Sequence, residues 1–191
     1  MNSARENILK KIRAVRGNSQ SNPLPELIRP AINADHVAQF REKLELGGGS
    51  LHQVKDYSAA ASLITDFLIE KNLPMRLRLA PALKQMQWVD QIEVSYGKSD
   101  GDDLVSVTPA FCAIAETGSV ILLSGPHSPT TLNFLPDYHF VIVETSQLVA
   151  HIEDGWAKLR QQNNIPRTIN MITGPSKTAD VEQTLQIGAH G

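Results

Sequence analysis

A glutamate, a threonine, a glycine and a serine stand in a row at Glu116-Thr-Gly-Ser119, between two apolar runs. A carboxylate at a strand end beside a glycine can approach a substrate closely. The same residues also fit an ordinary bend in which Glu116 bonds backbone amides while Thr117, Gly118 and Ser119 close the turn. A second segment, Thr173-Gly-Pro-Ser-Lys-Thr-Ala-Asp-Val-Glu182, has the composition of an anion site. A strand ending at Gly174 and Pro175, followed by Ser176, Lys177 and Thr178 at a helix start, gathers amides, hydroxyls and one cation around a point. A carboxylate or a phosphate suits such a place, with Asp180 and Glu182 orienting donors. A plain helix N-terminus, capped by Ser176 or Thr178 with Asp180 offsetting the dipole, explains the same residues. Glu116 to Ser119 and Gly174 to Asp180 are expected to meet in one cleft at the carboxyl ends of neighbouring strands.

The pair Lys177-Thr178 does not make a nucleotide-binding P-loop, because the two required glycine positions hold Ser176 and Met171. His190, between Ala189 and Gly191, is a candidate general base or ligand, or a loop histidine satisfied by backbone. His127 follows a strand and is expected to face the same cleft. His36, His52, His139 and His151 show no metal-ligand spacing, so no metal is expected. Cys112 is the only cysteine, which excludes an intrachain disulfide and any iron–sulfur cluster held by this chain's cysteines alone. Its apolar surroundings predict a small buried hydrophobe.

The elements that must carry these residues follow from periodicity. Ile8, Leu9, Ile12 and Val15 repeat at helical spacing after a capping box at Ser3 and Glu6, with Gly17 as the stop. A polar, proline-bearing stretch follows, so residues 1–30 read as a helical arm that docks on another subunit or folds over its own domain. Val37, Phe40 and Leu44 mark a second helix ending at Gly47-Gly-Gly49. Residues 51–54 read as a short strand, 60–68 as a helix and 75–79 as a strand, an order that favours a parallel crossover. Residues 92–96 make a weak strand. Residues 112–116 and 119–124 are strands joined by Thr117-Gly118 as a hairpin or an abrupt bend, and 140–143 is a buried strand. A helix capped at Thr145 or Ser146 would bury Leu148, Ile152, Trp156 and Leu159. A strand at 168–173 would feed a helix around 178–185.

A chain of 191 residues with 41% hydrophobic and 20% charged side chains fits one globular domain with an appendage. Its formal net charge of −2 offers no general attraction for nucleic acid or an acidic membrane. The apolar runs are far shorter than the roughly 20 residues that span a bilayer. An N-terminus with charges where a signal peptide needs apolar residues points to the cytoplasm.

The stretch Phe111-Cys-Ala-Ile-Ala-Glu-Thr-Gly-Ser-Val-Ile-Leu-Leu123 resembles one signature of LUD domains, and residues 173–182 resemble another. With Gly188-Ala-His-Gly191 they look like the lactate-utilisation protein C family over residues 31–191. That resemblance implies an α/β fold, an open sheet flanked by helices, similar to the ribose-5-phosphate isomerase and CoA-transferase-like superfold. It implies a cluster-free subunit of a system oxidising L-lactate to pyruvate, with iron–sulfur clusters on partner subunits and none bound here. It points to Glu116 and His190 as catalytic candidates. Thr117, Gly118, Ser119, Gly174, Ser176, Lys177, Thr178 and Asp180 are the candidates for binding a small carboxylate or phosphate. The alternative is a stand-alone transferase or ligase of the same superfold, acting on a phosphorylated or CoA-like substrate. Proteins of this kind usually continue past Gly191 into a final strand, so the domain is expected to lack that strand.

Overall fold

The computed structural model describes residues 2–16, 28–174, 177–179 and 185–187. The helical stripe around residues 60–68 becomes α3 (Tyr57–Glu70), opening at Asp56, whose carboxylate accepts the Ala59 N–H at 2.8 Å. Such a cap satisfies one of the amides that a helix start leaves free. The inner face of this helix, Ala60, Ala61, Ile64 and Leu68, packs on Leu77, Leu79, Val105 and Val107 in the main core. Those residues belong to β1 (Arg76–Leu79) and β3 (Val105–Pro109). With β2 (Glu93–Tyr96) and β6 (Tyr138–Ile142) at the edges, they form a sheet ordered β2-β1-β3-β6. All of its pairings are parallel. The opposite face is partly polar: Ser106 Oγ donates to the Leu132 carbonyl of α4 (Thr131–Phe134) at 2.6 Å, and Thr108 Oγ1 lies 2.7 Å from His139 Nε2. The expected α/β class, a parallel sheet flanked by helices, is the fold of the chain.

A second sheet begins two residues after β3. The strands β4 (Cys112–Ile114) and β5 (Ser119–Leu123) pair antiparallel, so Thr117-Gly118 turns a hairpin. Short β7 (Leu148–Val149) joins β4 in parallel, and β8 (Ile169–Ile172) joins β5 antiparallel. Because alternate side chains of a strand point to opposite faces, this sheet is packed on both sides. Ala113, Ala115, Val120 and Leu122 meet Phe40 and Leu44 of α2 (His36–Leu46), while Cys112, Ile114 and Ile121 meet Ile152 of α5 (Ile152–Arg160). Gly155 lets α5 come close, for a Cβ there would lie 3.1 Å from Ile121 Cδ1.

Four expectations are corrected. Residues 51–54 form no strand; Leu51 packs with the α2 cluster, and its carbonyl accepts a 2.8 Å bond from Arg41. Leu148 lies not on a helix but on β7, paired with Ala113; Thr145–Gln147 is a 3-10 turn, and α5 starts only at Ile152. Residues 178–185 are not one helix either. They contribute to β9 (Lys177–Ala179) and β10 (Leu185–Ile187), an antiparallel pair. At the other end of the chain, the span of α1 (Asn2–Arg16) already includes Ser3, which was expected ahead of the first turn.

Candidate functional site

At the end of the second sheet where β4 and β7 finish, β5 starts and β8 stops, three hydroxyls meet. Ser119 Oγ lies 2.7 Å from Thr117 Oγ1 and 2.8 Å from Thr173 Oγ1. The register explains the second contact: Val120 pairs with Ile172, so Ser119 and Thr173 are the next residues opposite one another. Ser119 is buried, and its hydroxyl can donate to one of the two threonines and accept from the other.

Both motif glycines sit in the left-handed half of backbone space, Gly118 at φ 70° and Gly174 at φ 143°. Each is also pressed against the end of α2. A Cβ on Gly118 would collide with the backbone of Lys43 and Leu44, and one on Gly174 with the carbonyl of Gly47. Glycine is required here twice over, by conformation and by contact. The C-terminal turn of α2 therefore roofs both motifs.

Glu116 turns to α5. Its Oε2 accepts the Ile152 N–H at 3.2 Å and lies 3.2 Å from His151 Nδ1. The side chains are only 19% and 12% exposed, so the pair is shielded from water. Asp154 completes the corner, accepting the His151 N–H at 3.0 Å and pairing with Arg29 at 3.2 Å. A carboxylate and a half-buried imidazole at a helix start can hold and relay a proton, and the negative charge suits the helix dipole. The backbone-bonded bend anticipated for Glu116 is thus realised, with a histidine added to it. Sequence reading missed His151 because its partner lies 35 residues away and because the helix was expected to start at Thr145 or Ser146, which put His151 inside it.

Ser119 contacts Thr173, and Gly118 and Gly174 both press on α2, with Ser119 at the amino rather than the carboxyl end of its strand. Lys177 and Thr178 lie on β9 rather than at a helix start, which removes the helix dipole from their expected role. Ser176, Asp180 and His190 lie outside the described residues. His127 does not join them. It is exposed beyond the far end of β5, where its carbonyl accepts the Ala82 N–H at 3.0 Å. Among the described residues no group of three or more His, Cys, Asp or Glu is placed to hold a metal ion. No helix among them is long and apolar enough to cross a membrane.

The LUD domain family matches residues 101–191, which contain both motif segments. A protein named Lactate utilization protein C from Geobacillus sp. (strain WCH70) is 37% identical over 91 residues, 46% of this chain and 38% of that protein. Its namesake from Geobacillus kaustophilus is 31% identical over 156 residues, 77% of this chain and 65% of that protein. The matched stretch spans about a third to a half of several curated relatives, 36% to 49% of the length of three of them. In fold the chain resembles the crystal structure of a DUF162 family protein from Deinococcus radiodurans, with TM-score 0.57 and 22% identity over 76% of this chain and 91% of that one. With motifs and relatives in agreement, residues 101–191 match the LUD domain family, and the chain is similar to the proteins named Lactate utilization protein C.

Proposed function

We propose that this chain is a cluster-free subunit of a system that oxidises L-lactate to pyruvate. The reading is supported by the LUD match across both motif segments, read together with relatives named for lactate utilization. Removing two electrons from lactate needs an acceptor, and a chain with a single buried cysteine does not supply cluster ligands by itself. The acceptor chemistry then belongs to iron–sulfur partners. This chain's part is to hold a small carboxylate: Lys177 supplies the cation, and Gly174, Ser176, Thr178 and Asp180, with Thr117, Gly118 and Ser119, are the proposed binding residues. Glu116 and His190 are the proposed proton-handling or nucleophilic groups.

Deleting the gene should abolish or slow growth on L-lactate while leaving growth on pyruvate intact. Normal growth on L-lactate, in a strain with no other lactate oxidase, would sink the proposal. Complementation sharpens it. Glu116→Gln keeps an acceptor for the Ile152 amide, so its failure to restore growth would point to the carboxylate's chemistry rather than its capping. Lys177→Ala should weaken carboxylate binding by about 1–3 kcal/mol, the scale of a charge-assisted hydrogen bond. Affinity purification from cells grown on L-lactate should bring down iron–sulfur proteins.

A further inference from the structure

Among the described residues the apolar side of α1 has no cover. Ile8, Leu9, Ile12 and Val15 lie along one side of it, 59%, 37%, 56% and 88% exposed. Between residues 4 and 15 it carries four cations, Arg5, Lys10, Lys11 and Arg13, against the single carboxylate of Glu6. Among the described residues none of those cations makes an ion pair. A helix of about 15 residues is marginal by itself in water, and most helices are held by packing of their apolar face. Ile8, Ile12 and Val15 have the i, i+4, i+7 spacing by which helices anchor in grooves.

A groove of about 600 Å³ runs along the outer side of α3. Its floor is apolar, from Ala59, Leu63, Phe67 and Phe140, and Asp66 and Glu70 add carboxylates along the same helix. Ala59, Leu63 and Phe67 are four apart, so they form one ridge along which a second helix can lie. Asp66 has no ion pair among the described residues, and Glu70 has only the adjacent Lys71 at 3.5 Å. The other wall carries His52 and also Lys55, which is paired with Asp56 at 4.0 Å.

We infer that α1 of one copy docks in the α3 groove of a second copy, and reciprocally, so that the protein is a two-fold dimer. The cations of the helix and the carboxylates of Asp66 and Glu70 along α3 complement each other in charge, and apolar stripe meets apolar ridge. Because each chain carries both halves, a two-fold axis closes the assembly with two equal contacts. Among the described residues the chain's own groove and its own α1 stripe are both open, which favours docking between copies over docking within one.

The test is sedimentation of the full chain across a wide concentration range. A dimer is expected, and Ile8→Asp with Ile12→Asp should weaken it by about tenfold or more, as loss of anchoring side chains does. Asp66→Lys should weaken it too, and adding Arg5→Glu and Lys11→Glu should restore part of the loss. These residues are exposed or line an open groove, so thermal melts taken at concentrations where wild type is monomeric should be unchanged. As an independent measure, Ile12→Cys combined with Ser62→Cys should give a disulfide-linked dimer under oxidation, the native Cys112 being buried. A monomer at every concentration overturns the inference. So does a dimer indifferent to either set of substitutions, or a cross-link that forms only within one chain.

Discussion

Ser119 Oγ and Thr173 Oγ1 lie 2.8 Å apart although 54 residues separate them in sequence. The bond ties the turn of the first motif to the first residue of the second. Ser119→Ala and Thr173→Val should each cost about 1 kcal/mol, the usual net worth of such a bond. The double variant should cost less than the sum, because both changes delete the same contact. Urea unfolding of the four proteins measures the coupling, and strict additivity would show the contact to be inert.

The glycines of the two motifs should behave unlike glycines elsewhere. Gly97 has φ 116° with nothing within 4 Å of a built Cβ, so Gly97→Ala should cost only the backbone strain, about 1–3 kcal/mol. Gly125 is open and carries no positive φ, so alanine there should change stability by about 0.5 kcal/mol or less. Gly118→Ala and Gly174→Ala add collision with α2 to the strain and should be the most damaging of the set. Denaturant midpoints give the ranking, and a Gly118→Ala variant no weaker than Gly97→Ala would contradict the roofing by α2.

Glu116→Ala should cost about 1–2 kcal/mol through loss of the Ile152 amide bond and of the charge at the start of α5. Glu116→Gln should recover most of that. Hydrogen exchange at Ile152 reads the contact directly, becoming faster in the alanine variant and staying slow in the glutamine one.

Burial pushes the His139 imidazole down to about 4, since water that would solvate the charged ring is excluded. The folded protein therefore holds His139 neutral where the unfolded chain, with an ordinary value near 6.5, binds a proton. Stability should be flat above about pH 6.5 and fall as the pH drops from there to about 4, by up to about 3 kcal/mol. Below that range both states are protonated and this contribution is constant. His139→Gln should flatten the fall; a wild-type slope unchanged by it would assign the effect to other groups.

Cys112 should resist alkylation in the native protein. It is buried against α5, and burial raises its thiol above the ordinary value, with Lys158 pulling weakly the other way. The reactive thiolate is thus both scarce and inaccessible. Labelling should track unfolding by denaturant; rapid modification of folded protein would contradict the packing.

The parts legible in the sequence were those with a local period. The α3 stripe, the alternation at β1 and the hairpin around Thr117-Gly118 were all readable, because each is specified within a dozen residues. Leu148 was misread because 148, 152, 156 and 159 satisfy helical spacing by coincidence. Its real partner, Ala113 on β4, is 35 positions away and invisible to any local window. The 178–185 helix failed for a related reason: hydroxyls after a glycine signal a helix cap and a strand turn equally well. At the site, the approach of Ser119 to Thr173 followed from reading two strands with motifs at their ends. The Glu116–His151 pair needed the tertiary fold, as did the pressure of α2 on Gly118.

The interleaving of the two sheets has a consequence for synthesis on the ribosome. The hairpin of β4 and β5 emerges between β3 and β6, yet both strands that flank it, β7 and β8, emerge later, β8 last at residues 169–172. The parallel sheet can close once residue 142 is out, while the hairpin still has two bare edges. For nearly thirty residues of elongation, a few seconds at about 5–20 residues per second, this nascent chain presents Val120 to Leu123 as an apolar strand without its neighbour. Quality control of this protein should therefore act on that interval, with chaperone occupancy rising once β5 clears the exit tunnel and falling only after β8 does.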